Sequence, residues 1–496
     1  MMQTEVLVVG AGNAAMCAAL AAREAGAEVL VLERAPEAER GGNTAFTAGA
    51  MRTVYEGVDD LRALMPDLSD REIATTDFGT YSAEAFYGDM ARVTDYRADP
   101  ELVDVLVGRS HETLAWMAGK GVRFAPAYGR QAFKVDGRFR FWGGLTVEVV
   151  GGGAGLVERE HKLAAEAGIA IRYNSRAVEL LTDDSGVHGV TAVVDGVTTE
   201  IRAGAVVLAT GGFQADAEWR TRYLGPGWDL AKVRGTRFNT GEGHRMALTA
   251  GASPAGHWSG CHAVGWDRNA PEYGDLAVGD GFQKHSYPFG IMVNAEGRRF
   301  VDEGADFRNY TYAKYGRRIL EQPHQMAWQV FDQQVTHLLR DEYRIKQATR
   351  VEAATLEELA RRLDGVDPEG FLAEVAAFNA AVRTDVPFDP TVKDGRSTTG
   401  LAVPKSHWAN PLTRGPFLAF QVTCGVTFTF GGLRITPGAQ VCGAEGPVLP
   451  GLFACGEIIG GLFYHNYPGG TGLTAGSVFG RIAGERAARA AAGAHG

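Results

Sequence analysis

Cysteine is scarce. Cys17, Cys261, Cys424, Cys442 and Cys455 are the five in 496 residues, and no two form a CxxC or CxxCH pattern. That spacing speaks against a disulfide framework, an iron–sulfur cluster or a c-type haem, and no metal centre is expected. Positive charge is in deficit: 49 Lys and Arg stand against 59 Asp and Glu, a net charge of −10. An acidic chain is a poor partner for nucleic acid or an anionic membrane, although a local basic pocket can still hold an anionic substrate. No apolar run reaches the roughly 18 residues that span a bilayer. No basic residue precedes Arg23, so the basic start of a secretory signal is missing and a cytoplasmic location with reduced thiols is expected. The sequence also lacks internal repeats and low-complexity linkers, and it has no histidine before His111.

Glycine, by contrast, is abundant at 66 residues, which points to tight turns and close approach of backbone to ligand. The first glycines fall in a recognisable place. Glu5 to Val9 reads as a buried strand. Gly10-Ala11-Gly12-Asn13-Ala14-Ala15 follows and opens an Ala-rich helix to about Ala25, and a second strand, Glu28 to Leu32, ends at Glu33. This is GxGxxA inside one βαβ unit with an acid about 20 residues on, the fingerprint of a dinucleotide site. Gly10 permits the turn. Gly12 lets a pyrophosphate reach free N–H groups at the helix N-terminus, where the dipole favours negative charge. Ala15 still allows close helix–strand packing, and Glu33 can accept hydrogen bonds from a ribose diol.

Later segments separate FAD from NAD. Gly41-Gly42-Asn43-Thr44 follows soon after Glu33. The strand Val206 to Ala209 runs into Thr210-Gly211-Gly212-Phe213. Asn239-Thr240-Gly241-Glu242-Gly243, Arg298-Arg299-Phe300-Val301-Asp302-Glu303, Ala454-Cys455-Gly456-Glu457 and Gly469-Gly470-Thr471-Gly472-Leu473 come after it in order. In that order and almost end to end, they resemble the flavoprotein family of fumarate reductase, succinate dehydrogenase and 3-ketosteroid dehydrogenase. The segments NYTYAKYG, GVTFTFGG and FYHNYPGGTGL are similar to the tricarballylate dehydrogenase branch. The resemblance implies an α/β fold: a Rossmann-like FAD-binding domain split in sequence, 1–255 and 429–496, around an inserted α+β capping domain, 256–428. It implies FAD held by Gly10, Gly12, Asn13, Ala14, Ala15, Glu33, Arg34, Gly42, Asn43 and Thr44 at the start of the chain. Ala177, Val178, Thr210, Gly211, Gly212 and Glu242 would follow, with Glu457 on the ribityl chain and Thr471, Gly472 and Leu473 at the pyrimidine end of the flavin. Members that carry covalent flavin have a His near the Gly-rich segment; its absence here predicts dissociable FAD.

The same resemblance supplies an expected chemistry, oxidation of tricarballylate to cis-aconitate. A hydride goes to flavin N5 and a proton leaves the neighbouring carbon. Arg308, which follows the RFVDE segment, is the expected proton shuttle. Departures from the fumarate reductases accompany it. Thr427 and Phe428 stand where those enzymes have two His. Tyr467 stands where they have an Arg, and Gln283 and Ser286 stand where they have the Glu and Arg of a proton relay. His465, Tyr467, Thr427, His262 and Tyr310 complete the expected catalytic set, with His257, Tyr312, Arg138 and Arg140 as further candidates. A small polycarboxylate is the expected substrate. No cluster, haem or convincing NAD site is present, so electrons would leave to oxygen, a quinone or a separate protein. In the tricarballylate dehydrogenases that protein is a membrane iron–sulfur protein, which would make the chain peripheral to the inner membrane. Three readings stay open: a 3-ketosteroid-type dehydrogenase, a fumarate reductase-like enzyme, and a flavin subunit of an electron-transfer or precorrin-modifying system.

Four further segments have readings of their own. Gly151-Gly152-Gly153-Ala154-Gly155 opens a helix before a strand at Ile169 to Tyr173 and resembles a second dinucleotide site. No acid follows that strand, so a family turn within the FAD domain is the better reading. Thr355-Leu356-Glu357-Glu358 reads as a capping box, and Asp367-Pro368 as an N-cap with Pro at N1. In the helix that follows, Phe371, Val375, Phe378 and Val382 share one face. The tail from Glu485 to Gly496 reads as a fraying helix end.

Overall fold

The computed structural model describes residues 2–493. Met2–Val9 is a strand whose Val6, Leu7 and Val8 are fully buried. It pairs in parallel with Val29–Leu32 on one side and with Val197–Leu208 on the other. Apolar runs of this kind are what a parallel strand covered on both faces requires. The helix Asn13–Glu24 makes the crossover, giving the Rossmann-like βαβ unit. Ala170–Arg172 extends the sheet beyond Val29–Leu32. On the other flank Ser175–Asp183, Gly186–Val194 and Val197–Leu208 form an antiparallel meander. Val448–Ala454 returns to pair in parallel with Val206–Leu208, so this sheet is assembled from distant stretches of the chain.

The glycine run at 151–155 has a packing job. A Cβ on Gly153 would lie 1.8 Å from the Thr44 carbonyl oxygen, so the helix Gly152–Glu166 can seat against the Gly42–Phe46 turn only with glycine there. The C-terminal helix, Thr471–Gly493, uses the same device against Asn13–Glu24. Cβ atoms on Gly480 and Gly484 would lie 2.5 and 2.0 Å from the carbonyl oxygens of Ala14 and Ala18. Glycine every fourth residue leaves a groove for the facing helix. The expected fraying from Glu485 is corrected: the helix runs to Gly493 with Ala487, Ala488 and Ala491 buried, Ala491 against Gly204 of the sheet. Residues 494–496 of that segment lie outside the described residues.

A second sheet stands over the first. Its spine is the long strand Phe417–Leu433, which pairs antiparallel with Pro254–Asp267, Ala327–Phe331 and Arg350–Ala353 and in parallel with Lys232–Val233. Helices Leu356–Arg362 and Pro368–Ala381 cover it. The first is capped by the Thr355 hydroxyl on the Glu358 N–H, while the Glu358 carboxylate takes the Ala354 N–H instead of closing a box on Thr355. Asp367 caps the second, and Phe371, Val375 and Phe378 are buried under it, with Val382 just past its end. The RRFVDE segment is an anchor. Glu303 pairs with Arg299 at 2.6 Å and accepts the Met292 N–H at 2.7 Å, and Asp302 holds Ser406. This fixes the loop from which Arg308 leaves.

Candidate active site

Between the two sheets runs a cavity that starts at the βαβ turn and ends among aromatic and cationic side chains of the second sheet. At its nucleotide end the Asn13–Glu24 helix begins at Gly12, which supplies no side-chain cap; apart from the Asn13 N–H, which Thr44 accepts, its first N–H groups are left for an anion. Gly10 sits at φ +111° and a Cβ there would lie 2.3 Å from the Ala209 carbonyl oxygen. Glu33 is buried, which raises its pKa, and one carboxylate oxygen takes the Ala35 N–H at 2.8 Å. Arg34 pairs with Glu242 at 2.8 Å, and both line the cavity with Ala177.

Further along, Asn43 ties the two sheets together. Its amide donates to the Thr427 carbonyl and accepts the Thr236 N–H. Thr44 accepts the Asn13 N–H at 3.1 Å. Glu457 accepts from the Thr429 N–H, Gln214 and Asn239, and burial pushes its pKa up to about 7. The Thr210 hydroxyl lines the cavity, buried and without a partner among the described residues. Gly472 and Leu473 bring the N-terminus of the C-terminal helix to the same space. A long polar cradle with an open helix start, an unspent hydroxyl and glycines where side chains would block it fits FAD. Four of the expected contacts lie elsewhere. Ala15 and Thr471 are buried behind the lining, Val178 faces solvent, and Gly212 is pressed against the Glu457 carboxylate, 2.1 Å from where its Cβ would be.

The far end holds Arg308, Arg234, Arg130, His262, His285, Tyr312, Tyr467, Thr427 and Phe428. Arg308 is buried. It donates to His285 Nδ1 at 3.4 Å and to the Arg130 carbonyl at 2.9 Å, and its Nε has no partner among the described residues. Burial lowers its pKa; Glu342 opposes this and Arg130 adds to it. Arg130 itself pairs with Asp280 at 2.9 Å. Burial also holds His262 and His285 well below the usual imidazole range, helped by the arginines. Both are therefore neutral. Since His285 Nδ1 accepts from Arg308, its proton sits on Nε2, which has no partner among the described residues. Tyr312 and Tyr467 hydrogen-bond through their hydroxyls, and the His262 ring packs against both.

Some expected catalytic groups are not brought here. His465 is corrected: its φ of +62° turns the side chain outward, where it is about half exposed beside Asp95, and its N–H donates to His257 Nδ1. His257 lies outside the cavity with it. Tyr310 points its hydroxyl away, to Asp89 at 2.6 Å and the Gly143 carbonyl at 3.0 Å. Arg138 and Arg140 lie on the peripheral strand Arg138–Phe141, away from the lining. The residues that sequence reasoning misses are Arg130, Arg234 and His285. Only His285 leaves a trace, as a titratable residue between the departures at Gln283 and Ser286.

The FAD binding domain family (FAD_binding_2) matches residues 5–473. A probable fumarate reductase, Ifc3, of Shewanella frigidimarina (strain NCIMB 400) is 30% identical over 98% of this chain and 75% of its own. A 4-oxocyclohexanecarboxylate 2-dehydrogenase of Sinomonas cyclohexanicum is 28% identical over 99% and 93%. Among solved structures, the open conformation of a flavocytochrome c3 fumarate reductase aligns with a TM-score of 0.73 at 28% identity, covering 99% of this chain and 79% of that one. With its βαβ turn, its FAD-shaped cradle and its capping sheet, the chain belongs to the FAD binding domain family, as an FAD-dependent oxidoreductase of the fumarate reductase and succinate dehydrogenase flavoprotein group.

Proposed function

We propose that this enzyme oxidises a saturated polycarboxylate at a CH–CH bond next to a carboxylate, with tricarballylate to cis-aconitate as its reaction. One observation carries the reading. At the end of the FAD cavity two buried guanidiniums, Arg308 and Arg234, keep Nε atoms with no partner among the described residues, and His262 and His285 flank them. Buried charge without a counter-ion is costly, and a substrate carboxylate supplies that counter-ion. Bound FAD would supply the hydride acceptor, at its N5. Arg308, its pKa lowered by burial, first passes a guanidinium proton to His285 Nδ1, to which it already donates, and then takes the proton from the neighbouring carbon. His285 Nε2–H and the Tyr312 hydroxyl orient the carboxylate next to that carbon. Phe428 and Tyr467 exclude water from the reacting face.

The FAD is dissociable, and its electrons pass to a separate acceptor, a quinone or a membrane iron–sulfur protein that would bring the chain to the inner membrane. Among the described residues no helix is long and apolar enough to cross a membrane. A second reading, a 3-ketosteroid-type dehydrogenase, is favoured by the Tyr312–Tyr467 hydroxyl pair. Anaerobic mixing of the yellow protein with polycarboxylates and steroids decides between them. Tricarballylate is expected to bleach the flavin; bleaching by a steroid alone overturns the proposal. After acid precipitation the colour should be in the supernatant, and a yellow pellet would mean a covalent link.

A further inference from the structure

Most buried arginines of this protein are spent on other groups. Arg299 pairs with Glu303, and the half-buried Arg130 pairs with Asp280. Arg52 lies 3.8 Å from Asp89 and donates to the Gly469 carbonyl. Arg220 donates to four carbonyls, those of Trp228, Gln214, Asp229 and Ala231. Arg234 is different. Its backbone is fixed, because its N–H donates to the Val426 carbonyl at 2.8 Å. It is 6% exposed. Yet its guanidinium makes one polar contact among the described residues, a 3.3 Å bond from Nη1 to the Thr427 hydroxyl, and its Nε makes none. With five N–H donors on a planar cation and a single acceptor among the described residues, its natural partner in this position is an anion.

The anion is on the substrate side. Arg234 lines the same cavity as His262, His285, Tyr312 and Tyr467, all at the chemical end. Arg308 reaches that end from the loop after the RRFVDE anchor, and Arg234 from the strand edge beside Phe417–Leu433. Two fixed cations on separate elements then face one space. We infer that Arg234 anchors a second carboxylate of the substrate, so that the site selects di- and tricarboxylates over monocarboxylates. The inference rests on the polycarboxylate reading above and assigns it a selecting residue. Thr427 completes the anchor by fixing the guanidinium plane, which leaves the remaining N–H groups free to grip a carboxylate in parallel.

The test uses the holoenzyme. Dissociation constants for tricarballylate and for butyrate are read from perturbation of the oxidised flavin spectrum, with FAD content and anaerobic bleaching measured alongside. Arg234→Gln should weaken tricarballylate binding by about 10²-fold, leave butyrate binding unchanged and keep the FAD. Arg234→Lys, which keeps the charge without the fork, should fall between the two and serves alone if the first variant does not fold. Unchanged tricarballylate affinity, equal weakening of both ligands, or loss of FAD each overturns the assignment, the last because Arg234 would then hold the cofactor. The outcomes separate the two claims. If tricarballylate binds the unaltered enzyme through Arg234 but does not bleach it, the oxidation reading falls and the anchor stands. If it bleaches the enzyme and Arg234→Gln binds it equally well, only the anchor falls. If it neither binds nor bleaches, both fall.

Discussion

The two ends of the cavity recognise their ligands by different means. At the nucleotide end most of the recognition surface is backbone: the turn at Gly10 and Gly12, the uncapped start of Asn13–Glu24, and one acid, Glu33, close in sequence. At the chemical end it is side chain, drawn from Arg130, Arg234, His262, His285, Arg308, Thr427 and Tyr467, which are far apart in the chain. A backbone site tolerates only residues that leave the chain path open. A side-chain site can be rebuilt one group at a time, so the same cofactor can serve different substrates.

The largest effect should come from adding an atom at the backbone end. Gly10→Ala places a Cβ 2.3 Å from the Ala209 carbonyl at a φ of +111°, and the chain should purify without bound FAD by its visible spectrum. Full occupancy would show that the turn is not the pyrophosphate site. Next, Arg308→Lys should leave FAD bound and lower the rate of flavin reduction by roughly 10²–10⁴-fold. If affinity falls and the saturated rate does not, Arg308 is only an anchor. Third, Glu33→Ala should weaken FAD by about 1–3 kcal/mol through lost charged hydrogen bonds, measured by titrating FAD into apoprotein; unchanged affinity would remove Glu33 from the ribose. The smallest effect should be that of His465→Ala. Its side chain is about half exposed and turned outward, so turnover should change by about twofold at most. A large loss would mean that the loop swings inward during catalysis.

The legibility of the sequence follows the same division. Strand, turn, helix, strand and acid fall within Glu5 to Glu33, and local spacing alone prescribes their geometry. The glycine run at 151–155 is visible too, but whether it faces a ligand or the Thr44 carbonyl depends on a partner more than 100 residues away. Arg234 and Arg130 carry no local signal, because each meets its neighbours only after the two sheets close. His465 stands next to the flavin-side turn in sequence, yet a single positive φ turns it out of the site. Sequence distance to a motif says nothing about which way a side chain points.

The packing of Gly476, Gly480 and Gly484 against Asn13–Glu24 has a consequence for the order of assembly. The helix that presents N–H groups to the nucleotide is covered by a helix more than 440 residues downstream. During synthesis the first βαβ unit therefore waits, its Ala-rich face uncovered, until residues 471–493 have left the ribosome. Cofactor capture should then follow the emergence of this helix, and a chain interrupted before it is expected to purify without FAD.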